Sequence, residues 1–146
     1  MPARLKRPRQ ELEHREQAHL IRWADIVIAD LHPNAGKLFA IPNGGHRNKH
    51  VALKLKEEGV RAGVLDLFFP EARGGYFGLW IEMKVRPNRP TSEQLARIRQ
   101  HLDDGYYAAV CYTAEQAQSL LLWYLELSPT PQRVAAMPPV LHETVP

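Results

Sequence analysis

Cysteine is almost absent from this chain. Cys111 is the only one in 146 residues, which excludes an internal disulfide and a cysteine zinc cluster. It reads as a small buried hydrophobe. Long apolar runs are missing as well. No stretch approaches the roughly 20 residues that a membrane-spanning helix needs. The first residues are charged from Arg4 onward and lack the apolar core of a signal peptide. These absences predict a cytosolic protein with no membrane partner. Basic residues nearly vanish from the last third. Residues 1–99 hold 18 Lys/Arg against 11 Asp/Glu, whereas residues 100–146 hold one Arg against five acids. A basic front on an acidic back suits an anionic polymer such as nucleic acid.

What is present fits one globular domain. The length is that of a single domain, and 45% hydrophobic residues supply a core. Residues 1–9 read as a flexible basic arm. Leu12, Leu20, Trp23, Ile26 and Val27 recur near a period of 3.6 and predict a helix over about 10–31. The turn cluster His32-Pro33-Asn34-Ala35-Gly36 ends it. A short strand follows over 37–41, then a helix over about 46–58 that closes on Gly59. Strands over 64–69 and 78–85 are joined by a loop short enough for an antiparallel hairpin. After the break Arg86-Pro87-Asn88-Arg89-Pro90, Thr91 or Ser92 caps a helix with an apolar stripe of Leu95, Ile98 and Leu102. Residues 106–112 form a strand, and Thr113 caps a last helix through about Glu126. A proline-rich tail spans 128–146. The order αβαββαβα predicts an α/β domain on one sheet of about four strands, with the folded unit over 10–127.

The chemistry lies in the central strand pair. Asp66 sits inside the apolar run Val64-Leu65-Asp66-Leu67-Phe68-Phe69, and the next strand reads Gly78-Leu79-Trp80-Ile81-Glu82-Met83-Lys84. Side chains alternate along a strand. Leu79, Ile81, Met83 and Val85 therefore share an apolar face, and Trp80, Glu82 and Lys84 share the other. If the strands pair through their short loop, Asp66 lies beside Glu82. Two converging carboxylates repel unless a cation joins them. All-oxygen ligands favour Mg²⁺ or Mn²⁺. Lys84 would then stabilise negative charge at a phosphodiester under attack. The alternative is a cross-strand salt bridge from Asp66 to Lys84 with Glu82 solvated.

Seven segments, in order, resemble the VRR-NUC (virus-type replication-repair nuclease) family of the PD-(D/E)XK nuclease superfamily. They are Glu13-x-x-x-Gln17 leading to Trp23; Ile41-Pro42-Asn43-Gly44-Gly45-His46-Arg47; Leu55-Lys56-x-x-Gly59-Val60-x-x-Gly63; Asp66-Leu67; Arg73-Gly74-Gly75-Tyr76; Gly78 to Lys84; and Gln94 with Gly105-Tyr106 beyond it. The resemblance covers about residues 10–125. It implies a restriction-endonuclease-like fold and a Mg²⁺- or Mn²⁺-dependent DNA endonuclease acting in the host-cell cytosol. It also implies that Asp66, Glu82 and the Met83 carbonyl hold the metal and that Lys84 positions the nucleophile. Gln94 would support the site from the next helix. Glu13 would be a further acid near the metal, directly or through water, although Glu16 lies on roughly the same helix face. The family usually has proline before the aspartate, where this chain has Leu65. Similarity to stand-alone members implies a homodimer acting on branched DNA such as four-way junctions, in phage replication, recombination or repair.

Other features were weighed against this reading. Asn43-Gly44-Gly45-His46-Arg47 lacks the spacing and the Lys-Ser/Thr of a P-loop, which argues against nucleotide hydrolysis; its backbone amides could instead touch a DNA phosphate. His46-x-x-x-His50 has no third zinc ligand nearby. Arg47, Lys49, Lys54 and Lys56 on or near the second helix, with Arg86, Arg89, Arg97 and Arg99 around the third, are candidates for the DNA backbone. Leu120, Leu121, Tyr124 and Leu127 form an apolar stripe that would suit a dimer surface. A nucleic-acid-binding module, or a nuclease subunit inactive without a partner protein, is the alternative function.

Overall fold

The computed structural model describes residues 8–42 and 48–129. Arg47 with the rest of the 43–47 turn, and most of the expected arm and tail, lie outside the described residues. Four strands form one mixed sheet in the order β1-β2-β3-β4. They are β1 (Phe39–Ala40), β2 (Leu67–Phe69), β3 (Leu79–Met83) and β4 (Tyr107–Cys111). The first three pair antiparallel and β4 runs parallel to β3. The crossover into β4 is made by α4 (Ser92–Asp103), as a parallel pair requires. The remaining helices are α1 (Arg9–Trp23), which runs through a π-helical segment (Ala24–Ile28) into α2 (Ala29–Leu31), then α3 (Lys49–Glu57) and α5 (Ala114–Glu126). This is the predicted order, in a mixed sheet flanked by helices.

Local sequence explains the boundaries. Asn48 caps α3 by accepting from the Val51 N–H, and Thr113 caps α5 by accepting from Gln116. Thr91 rather than Ser92 caps α4 and forms a capping box with Gln94. The π-helical segment has a packing cause. Leu20, Ala24 and Ile28 are all buried, and a spacing of four outruns the 3.6-residue turn. A wider turn takes up the excess and keeps the three on the core. The same shift leaves Ile26, expected on the apolar stripe, 71% exposed.

The core occupies one face of the sheet. Leu67, Phe69, Leu79, Ile81 and Met83 pack there against Leu20, Ala24 and Ile28 and against Ala117, Leu121, Tyr124 and Leu125 of α5. The α5 stripe expected as a dimer surface is thus largely core, since Leu121 and Tyr124 are fully buried. The opposite sheet face meets α4, where the Trp80 ring stacks on His101 at 4.5 Å and 8°. Of the apolar stripe, Ile98 is half-buried, while Leu95 and Leu102 stay about two-fifths exposed.

Both central strands are shorter than predicted, and the reason lies at Asp66. Its N–H donates to the Glu82 side chain, and its own carboxylate takes the Met83 N–H. Those N–H groups leave the ladder, so β2 starts at Leu67, while β3 keeps its pairing with β4 as far as Met83.

Truncating Leu121 tests where the core lies. Leu121→Ala should lower unfolding free energy by about 2–5 kcal/mol, read from urea denaturation. A loss under about 1 kcal/mol would contradict its place between α5 and the sheet.

Candidate active site

The register pairs Leu67 with Ile81, which sets Asp66 opposite Glu82 at the end of the hairpin. Glu82 then holds the Asp66 backbone, and Asp66 holds that of Met83, the residue after Glu82. The Asp66 N–H donates to Glu82 Oε2 at 3.1 Å, and the Met83 N–H donates to Asp66 Oδ2 at 2.9 Å. Two more donors meet on Glu82 Oε1. Gln94 Nε2 donates at 2.6 Å, and Lys84 Nζ lies at 3.2 Å. The expected alternative bridge from Asp66 to Lys84 is replaced by this one to Glu82. Glu82 is not solvated: it is 1% exposed and is the one buried charged residue among the described residues.

Gln94 has two tasks. Its Oε1 accepts the Thr91 N–H at 2.9 Å, completing the capping box, while Nε2 reaches Glu82. The start of α4 is thereby tied to the buried carboxylate. Together with the Trp80–His101 stack this fixes the helix at two points on β3.

Glu13 approaches from α1. Its Oε1 accepts from Asn88 Nδ2 at 3.2 Å and from the Val85 N–H at 3.4 Å. Its charge also helps to raise the Asp66 carboxyl. Glu16 turns elsewhere: its Oε2 accepts the Ala114 N–H at 2.6 Å. A carboxylate there satisfies an orphan donor and complements the positive end of α5. Of the two acids, Glu13 meets the loop after β3 and Glu16 meets the start of α5.

The basic candidates are spread out. The Arg86 guanidinium lies over the Tyr112 ring at 4.2 Å, next to the loop that holds Glu13. Arg89 is exposed on the same loop, and Lys49 and Lys56 are exposed on α3. Sequence reading passed over Asn88, which lay in a segment read only as a break. Its nearness to Lys84 in sequence was the one available hint. Leu65, where the family usually has proline, is fully buried.

The electrostatics follow from burial. Desolvation pushes the Asp66 carboxyl above its usual range, against the pull of the Met83 N–H and the Lys84 ammonium. Burial, and then the charge of Asp66, raise Glu82 from 4.5 to about 7. Such a pair is short of positive charge. Asp66, Glu82 and the Met83 carbonyl could supply oxygen ligands to a hard cation. Among the described residues no group of three or more His, Cys, Asp or Glu is arranged to hold a metal. Water or substrate oxygens would therefore have to complete its shell, as is usual for Mg²⁺.

A solved structure described as a VRR_NUC domain protein is similar to this chain. It has a TM-score of 0.67 and 27% sequence identity, over 86% of this chain and 94% of that one. Comparison with protein-family models and with curated proteins gives no match.

Two outcomes follow from this geometry. Above pH 7 without metal, both carboxylates are driven toward charge in a buried site. Between about 4.5 and 7 the folded state holds the extra Glu82 proton, so this group's contribution to stability declines as pH rises through that window. Asp66→Asn removes one charge and keeps an oxygen for the Met83 N–H. It should raise stability in EDTA at pH 8 by about 1 kcal/mol, on the order of 3 °C in Tm, and flatten the pH dependence. A lower Tm would mean that the pair does not repel. Glu16→Ala should cost about 1 kcal/mol through the lost α5 cap, and an unchanged melting curve would remove that role.

Proposed function

Starting from the VRR-NUC domain that the fold and its solved neighbour support, we propose that this chain is a Mg²⁺- or Mn²⁺-dependent DNA endonuclease. The observation that carries the reading is the convergence of Asp66 and Glu82 from adjacent strands with the Lys84 ammonium against Glu82. Burying such a pair is costly, and the raised Glu82 pKa marks a site that gains from a cation. Asp66, Glu82 and the Met83 carbonyl would hold the ion, with Glu13 bearing on it through water. When bound, such an ion polarises a phosphodiester and lowers the pKa of a water.

The chain's own residues do the rest. Gln94 keeps Glu82 turned toward Asp66. Lys84 keeps a positive charge beside the reacting phosphate, where negative charge builds as water attacks. Arg86 and Arg89, with Lys49 and Lys56 on α3 and Arg47 next to it in sequence, would hold the DNA backbone. Phosphate contacts position DNA without reading its bases, so the enzyme selects by structure. We extend the proposal to a homodimer cutting branched DNA in the host-cell cytosol, since a two-fold enzyme matches a two-fold junction. Its partner surface is not the α5 stripe, which the core uses. No helix among the described residues is long and apolar enough to cross a membrane.

The test uses wild type and Lys84→Ala with labelled four-way junction, flap, single-stranded and linear duplex DNA, in Mg²⁺, Mn²⁺ or EDTA. Wild type should cut the junction only with metal. The variant should bind it with similar affinity and cut about 100- to 1,000-fold more slowly. Salt-sensitive binding with no cutting in any ion would instead favour a module that needs a partner protein.

A further inference from the structure

The loop after Lys84 closes as a turn, with the Asn88 N–H donating to the Val85 carbonyl at 3.0 Å. That turn swings the Asn88 side chain over α1. Arg9 Nη1 donates to Asn88 Oδ1 at 3.0 Å, and Asn88 Nδ2 donates to Glu13 Oε1 at 3.2 Å. The amide orientation is fixed by chemistry: Arg can only donate and a carboxylate can only accept. The oxygen must therefore face Arg9 and the nitrogen Glu13.

We propose that Asn88 is the positioning residue for Glu13, holding this helix-borne acid against the loop that follows the Glu82-x-Lys84 segment. The proposal rests on the nuclease reading above. Both bonds to Glu13, from Asn88 and from the Val85 N–H, land on Oε1. Oε2 is thus the oxygen that can serve a water or ion in the centre. A glutamate on a helix surface otherwise samples several rotamers. Two directional donors on that one oxygen, a side chain and a backbone N–H, select among them. Asn88 acts through Glu13 and touches neither Asp66 nor Glu82. The Arg9–Asn88–Glu13 chain also joins the start of α1 to the end of the strand that carries the site. The position of the third acid therefore depends on this loop as much as on its own helix.

The experiment measures Mn²⁺ binding in the absence of DNA, by electron paramagnetic resonance, for wild type, Asn88→Ala, Asn88→Asp, Glu13→Ala and the Glu13→Ala/Asn88→Ala double variant. Junction cleavage is measured alongside. Asn88→Asp matches the size of asparagine and can still accept from Arg9, so it keeps the turn while replacing the donor to Glu13. Partners that orient a metal's ligands are worth about 10- to 100-fold in affinity. Both Asn88 variants should lose at least about tenfold in Mn²⁺ affinity and lose kcat, with KM for DNA little changed. The double variant should bind Mn²⁺ no more weakly than Glu13→Ala alone, because both changes remove one interaction. Wild-type Mn²⁺ affinity in folded Asn88→Asp, or losses that multiply in the double variant, would overturn the proposal and leave the nuclease reading standing. Failure of wild type itself to bind Mn²⁺ or cut DNA would overturn both.

Discussion

The structure turns on one reciprocal contact. Asp66 and Glu82 each take a hydrogen bond from the backbone of the other's strand, through the Met83 and Asp66 N–H groups. This arrangement sets where β2 starts, because those N–H groups are withdrawn from its pairing. It also sets the register, since a one-residue slip would turn Glu82 into the core and Ile81 out of it. The contact brings two carboxylates together in a place where burial penalises both. A hydrogen-bonded frame built for stability alone would use neutral groups there.

The surrounding elements are arranged to hold that contact. Gln94 spends one end of its amide on the α4 cap and the other on Glu82, so the start of the helix and the position of the carboxylate are one constraint. Trp80, two residues before Glu82 on the same strand face, stacks on His101 two turns further along α4. The core beneath the other face is made by α1 and α5, and Glu16 of α1 caps α5. That cap and the Glu13 contacts come from neighbouring turns of one helix. The same helix therefore supports the packing and reaches the site.

Much of this was legible in the sequence, for physical reasons. Period-two patterning over 79–85 put Glu82 and Lys84 on one face. The threonines before Gln94 and Gln116 marked helix starts, and Gly59, at positive φ, marked a helix end. Less was legible where an element's role depends on what packs against it. The periodicity of the first helix gave its extent, yet the π-helical segment moved Ile26 to the surface. The α5 stripe read as surplus apolar area because a sequence does not show how deeply a helix sinks into a sheet. Leu95 and Leu102 belong to the apolar stripe read for α4 but stay partly exposed, and an aromatic stack joins the helix to the sheet beside them. Glu13 and Glu16 were indistinguishable by helix face and separate only through their partners, the Asn88 amide and the Ala114 N–H. Asn88 itself carries no periodic signal.

The central claim is that the Asp66–Glu82 pair is a cation site. Crystals grown with Mn²⁺ and measured at the manganese absorption edge test it most directly. The account predicts an anomalous peak ligated by the Asp66 and Glu82 carboxylates, with Lys84 still nearby. A peak elsewhere, or none while Glu82 keeps its bonds to Gln94 and Lys84 unchanged, would contradict it.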